Sequence, residues 1–181
     1  MIGANTDLSG AELRKFRAQM AQSLLDSMDE TDCNVALTFT TIDALPRWLL
    51  LSKQEADQIA NLLGSVWFLP TLQHCLAGSV LRPISKKIGE DDFNWLLELE
   101  IITGDQPPAA RLNLPEAIDQ TGKTILLSLI DDDNLRCLIA KRFGETSYPV
   151  GEIETDRAQS VVQIVEERLR IAKIAQKEDA A

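Results

Sequence analysis

Ser52-Lys53-Gln54-Glu55-Ala56-Asp57-Gln58-Ile59-Ala60-Asn61-Leu62-Leu63 is the stretch whose reading decides the fold class. Ser52 precedes an apolar-periodic run and Glu55 stands three residues later. In such a capping box the serine oxygen accepts from the glutamate's backbone N–H, and the carboxylate reaches back to the serine. Donors that a helix start leaves unsatisfied thereby find partners. Ile59, Leu62 and Leu63 then follow at helical spacing. The reading is a helix that opens at Ser52 and runs through Leu63.

The same signature recurs on either side. Ser9 and Glu12 precede Leu13, Phe16, Met20, Leu24 and Met28, which predicts a helix over about 10–28. Asn113 and Glu116 form a looser box with Pro115 in the first turn, ahead of Ile118, Ile125, Leu126, Leu129 and Ile130. Between them, Pro70, Gly78, Pro83 and Gly89 cut the chain into short helices, about 70–77, 79–88 and 90–100. Glu90, Asp91 and Asp92 suit the positive end of the last of these. A loop is expected over Thr103–Arg111, and another short helix over Leu135–Phe143, stopped by Gly144. Val35, Leu37 and Phe39 alternate with Ala36, Thr38 and Thr40, the pattern of a short strand or of extended chain packed on helices.

The last segment predicts the longest helix. Thr155 can cap it and Asp156 favours its start. Ala158, Val161, Val162, Ile164, Val165, Leu169, Ile171 and Ala172 fill about half of the circumference, and Arg168 is the one charge inside that arc. A helix reaching Gln176 would be about 33 Å long. So wide an apolar arc needs cover, either from the chain's own core or from a partner helix. Ala158, Val162, Val165, Leu169 and Ala172 step by four, three, four and three, as in a coiled-coil seam. The expected fold is therefore mainly α. It comprises a helical core domain of residues 1–150, with about seven helices in all and at most one small β element, and a C-terminal amphipathic helix with a frayed tail, 151–181, packed on that core.

Composition narrows the function classes. The 181 residues are 45% apolar and 25% charged, ordinary for a globular chain, with a formal net charge of -10. Carboxylates outnumber Lys plus Arg by 28 to 18, the wrong sign for a non-specific nucleic-acid binder or for an anionic membrane surface. No apolar run approaches the roughly 20 residues of a membrane span, and Met1–Asp7 lacks the basic and apolar parts of a signal peptide. The expectation is a cytoplasmic protein. Cys33, Cys75 and Cys137 are widely spaced, His74 is the single histidine, and no zinc set can be assembled at the usual spacing.

The chain offers little for catalysis. His74 and Cys75 are neighbours that point about 100° apart on a helix, which reads as a core thiol beside a partly exposed imidazole. The acidic runs Asp29-Glu30-Asp32, Glu90-Asp91-Asp92 and Asp131-Asp132-Asp133 lack the alternation of a calcium loop and read as turns and caps, or as docking points for a basic partner. Neither GxGxxG nor GxxxxGK[ST] occurs, so no phosphate cradle, nucleotide or other cofactor is indicated. Trp67 and Trp95 lie in apolar helical runs and read as core. Trp48 follows Pro46 and Arg47 outside those runs and reads equally well as a binding anchor. The candidate protein-interaction residues are thus Trp48, Asp131, Asp132, Asp133, Val161, Val165 and Leu169.

One resemblance adds to this. Asn61-Leu62-Leu63-Gly64-Ser65-Val66, Leu72-Gln73-His74-Cys75-Leu76, Gly78-Ser79-Val80-Leu81-Arg82, Ile88-Gly89-Glu90 and Phe93 resemble the SctK family of type III secretion, which includes YscK, PscK, OrgA and MxiK. They look like that family's Leu-Leu-Gly run, its cysteine-containing helix, and its Leu-Arg and Gly-Glu steps, over about a third of the chain. Gln73-His74 stands where the family places basic residues. The resemblance implies a non-enzymatic adaptor of the cytoplasmic sorting platform, without cofactor and monomeric when isolated. It would link the cytoplasmic domain of the inner-membrane ring protein, SctD, to the pod protein, SctQ. A secretion chaperone is the alternative, a class that usually adds a strand-rich sheet and forms homodimers. An enzyme with a site assembled from distant residues is the remaining one.

Overall fold

Two of the predicted capping boxes are formed in full. Ser9 Oγ donates to Glu12 Oε2 at 2.6 Å and Ser9 N donates to the same oxygen at 3.0 Å. Ser52 repeats the arrangement on Glu55 at 2.7 and 2.8 Å. The serine side-chain bond, then the backbone bond, holds each glutamate below the usual carboxylate range. The structure, a computed structural model, describes residues 9–25, 38–100, 113–143 and 153–178, without the side chains of 142 and 172–178. Among these residues there are nine α-helices and no strand: α1 (Gly10–Leu25), α2 (Phe39–Ala44), α3 (Lys53–Trp67), α4 (Leu69–Gln73), α5 (Gly78–Ile88), α6 (Glu90–Glu98), α7 (Leu114–Ser128), α8 (Asp133–Ala140) and α9 (Thr155–Glu178). Single 3-10 turns cover Arg47–Leu50 and Lys141–Phe143. The fold is mainly α, as the periodicity indicates.

Several predicted boundaries move. Phe39 and Thr40, read as the end of a strand, open α2, because Thr38 caps that helix by accepting from Thr41 N at 3.1 Å. Val35 and Leu37 lie outside the described residues, as do the loop Thr103–Arg111 and the acidic run at 29–32. The helix opening at Ser52 runs on to Trp67. The predicted 70–77 helix stops at Gln73, and residues 75–77 leave the helix with Leu76 fully exposed.

The chain divides into two compact units, Met1–Ala56 with Leu126–Gly151, and Asp57–Ile125 with Glu152–Ala181. In the first, α1 buries Phe16, Met20 and Leu24. Arg17 holds α2 through a two-bond contact to Asp43, at 2.7 and 2.5 Å, while its guanidinium lies over the exposed ring of Phe39. Leu135, Leu138 and Ile139 of α8 are buried, and Arg136 donates twice to Ile130 O at the turn before it.

The second unit rests on one close helix crossing. Gly64 on α3 faces Ile118 on α7, and Gly122 on α7 faces Ala60 on α3. A Cβ on Gly64 would stand 2.8 Å from the Ile118 carbonyl carbon and nearer still to its oxygen. One on Gly122 would stand 2.5 Å from the Ala60 carbonyl carbon, again with the oxygen nearer. Real Cβ atoms do not come so close, so glycine at both positions is what lets the two backbones touch. Beside the crossing, buried Asn61 donates to Asp119 Oδ1 at 3.1 Å, and buried Ser65 donates back to Asn61 O at 2.7 Å. Burial acts to raise the Asp119 pKa. Lys123 at 2.6 Å, then Lys87 at 3.6 Å, then Asn61 outweigh it and hold the carboxyl below its ordinary value. The last helix, α9, buries Ala158, Val161, Val162 and Val165.

Candidate protein-docking site

Helices α5 and α6 meet at Gly89, which ends one and begins the other. Its φ of 96° lies in the left-handed region that favours glycine. The turn is closed by Gly89 N to Ser85 O at 2.8 Å and Phe93 N to Gly89 O at 3.0 Å. Gln58 on α3 donates to Ile88 O at 2.9 Å, so a carbonyl at the end of α5 is satisfied. Ile84, Ile88 and Leu96 are buried. At this joint a cleft of about 470 Å³ opens, lined by Gly89 together with Leu81, Arg82, Ser85, Lys86, Glu90 and Phe93. Leu81 and Phe93 are half-buried, and Arg82 and Lys86 are exposed. Spaced i, i+4, the two cations share one side of α5. Among the described residues neither has a hydrogen-bonded or ion-paired partner. The cleft presents an apolar pair between two cations and one carboxylate, a surface suited to binding.

The predicted interaction residues lie on several elements. Trp48 is buried at 1% exposure in its 3-10 turn, with the Phe143 ring centroid 5.8 Å away and its own Nε1 without a hydrogen-bond partner among the described residues. Asp132 caps α8 by accepting from Asn134 N and Leu135 N at 2.9 and 3.0 Å. Asp133 pairs with Arg136 at 2.8 Å, and Asp131 is exposed. Val161 and Val165 are buried by the chain itself, at 3% and 0% exposure, and Leu169 is half-buried. Trp48 and Asp131 to Asp133 belong to the first unit, and Val161, Val165 and Leu169 to the second.

The other singled-out residues have structural partners. Arg168, the lone charge in the apolar arc of α9, pairs with Asp92 of α6 at 2.8 Å, 5.5 Å from the ring centre of Trp95. Arg157 lies 4.3 Å over the Trp67 ring and donates to Trp67 O at 3.0 Å. Trp67 and Trp95, read as core, are half-buried and capped by cations, whereas Trp48, for which core and binding anchor read equally well, is fully buried. His74 is exposed and Cys75 half-buried.

The cleft went unrecognised in the sequence, although Leu81-Arg82, Gly89-Glu90 and Phe93 are among the residues that carry the family resemblance. The signal was the i, i+4 pair of cations facing an aromatic across a glycine joint. That pattern is informative only once the hairpin of helices is known.

A family model described as YOP proteins translocation protein K (YscK) matches residues 11–137, well over half of the chain and inclusive of the cleft. No curated protein and no solved structure matches the chain. On that match the chain belongs to the YscK family, the SctK family of type III secretion proteins.

Proposed function

We propose that this type III secretion protein is a non-enzymatic adaptor of the sorting platform. It would link the cytoplasmic domain of an SctD-like inner-membrane ring protein to an SctQ-like pod protein. The family match over 11–137 carries the reading. The absence, among the described residues, of any helix long and apolar enough to cross a membrane is compatible with a place at the inner membrane gained through partners. In this reading the isolated chain is a cytoplasmic monomer that needs no cofactor. In the same reading Asp131, Asp132, Asp133 and Leu169 would meet a partner, and the buried Trp48, Val161 and Val165 would support the surfaces from within. Affinity purification of the tagged chain from the native cell, with the recovered proteins identified, tests the proposal. Recovery of ring and pod components supports it. Recovery of a single secreted effector without any apparatus component replaces it with the chaperone reading.

A further inference from the structure

We propose that the α5–α6 cleft is a docking site for an acidic peptide segment of a partner protein, one that carries a large apolar side chain beside its carboxylates. The inference rests on the adaptor reading and names the chemistry of one partner.

Charge is the first argument. The chain carries a net -10, yet this cleft is rimmed by Arg82 and Lys86 with only Glu90 against them. Lys87, the next cation on α5, is taken by Asp119, which also holds Lys123. Among the described residues Arg82 and Lys86 have no ion-paired partner, in a chain whose net charge is negative, and a carboxylate-bearing ligand is what they attract. An anionic membrane or a nucleic acid would present charge over a wide area and would meet the repulsion of the whole chain. A narrow peptide meets the two cations alone.

Shape is the second argument. About 470 Å³ accommodates one or two large side chains and excludes a folded domain. Leu81 and Phe93 leave apolar surface in water at the cleft, and an inserted Leu, Phe or Trp would cover it. Glu90 sets the direction. It repels carboxylates at the start of α6, so the acidic residues lie along α5 and the apolar anchor lies toward Phe93.

The test places a photo-crosslinking benzoylphenylalanine at Ser85 of the full chain in the native cell. Irradiation is expected to join it to an apparatus protein. The partner's crosslinked segment is expected to hold at least two carboxylates next to a large apolar residue. Arg82→Glu with Lys86→Glu in the same chain is expected to cut the adduct about tenfold, since two charge-assisted contacts become repulsive. Arg82→Gln with Lys86→Gln should give a smaller loss. Both residues are exposed, so unchanged circular dichroism and melting confirm the fold of either variant. An adduct to a neutral or basic segment, an adduct to a second copy of this chain, or a yield unmoved by charge reversal overturns the inference. No adduct while apparatus proteins still co-purify overturns the cleft and leaves the adaptor standing. No adduct and no co-purifying apparatus protein removes both.

Discussion

Gly64→Ala and Gly122→Ala probe the crossing on which the second unit rests. Carbon atoms attract best at about 3.5–4.0 Å. The added methyl at Gly64 would lie 2.8 Å from the Ile118 carbonyl carbon, and that at Gly122 would lie 2.5 Å from the Ala60 carbonyl carbon. The helices must therefore part by roughly 1 Å or more to restore that spacing, because the carbonyl oxygens stand nearer still than the carbons. The obstacle is backbone in both cases, so no side chain can swing aside. A gap of 0.5–1 Å forfeits about a quarter to a half of each facing dispersion contact, and overpacking of this kind costs about 1–3 kcal/mol. Backbone contact belongs at the upper end. Alanine returns about 1 kcal/mol through its better helix propensity, leaving a net loss of about 2 kcal/mol for each variant. For a chain of this size that is a fall in Tm of roughly 4–8 °C. Urea and thermal unfolding, followed by circular dichroism and tryptophan fluorescence, provide the readout. Gly78→Ala is the control, because a Cβ there meets open space, and it should be neutral or slightly stabilising. If Gly64→Ala and Gly122→Ala melt with the parent chain, or gain stability as the control does, the close crossing is wrong.

Three further outcomes follow from the same structure. Asp119 is held below its ordinary pKa, so the unfolded chain binds the proton more readily; its contribution is complete above about pH 4, near the unfolded value, and is lost as pH falls through the lower folded value. Asp119→Asn should lower stability at pH 7 and flatten its decline in acid, measured as Tm against pH from 7 down to 2. Asp92→Ala and Arg168→Ala should each destabilise, and their double-mutant cycle should return a coupling of roughly 1 kcal/mol for this largely covered pair, reduced in high salt. Deleting residues 155–181 uncovers the partners of Ala158, Val161, Val162 and Val165. Burial of each valine is worth about 1.5–3 kcal/mol, so the shortened chain should aggregate or lose its cooperative melt; a soluble, cooperatively melting product would mean that α9 is not part of the core.

What the sequence made legible is local. Ser9 with Glu12 and Ser52 with Glu55 act over three residues, and both boxes formed as read. The apolar faces of α1 and of the first half of α9 are buried at the helical period, whereas α3 is buried on every side from Asn61 to Val66 and Ile171 at the far end of the α9 arc is exposed. The end of the 35–40 segment, Phe39-Thr40, shows the limit of period two. Alternation of small and apolar residues fits a strand, but Thr38 and Thr41 supply a helix start that outweighs it at Phe39. The missing information is long-range. A glycine inside a helix reads as a cost until the facing backbone is known, and Ile118 lies far from Gly64 in sequence. Arg168 reads as a flaw in an apolar arc until Asp92 is placed beside it. The cleft needs Gly89 to fold α6 back on α5 before Arg82, Lys86 and Phe93 share a surface.

The adaptor account is tested most directly by reconstitution. The purified cytoplasmic domain of the ring protein and the purified pod protein are mixed with and without this chain, and the masses of the particles are measured. The account predicts a complex of all three that forms only when the chain is present. Ring and pod proteins that associate equally well without it, or a chain that binds neither, would contradict the account.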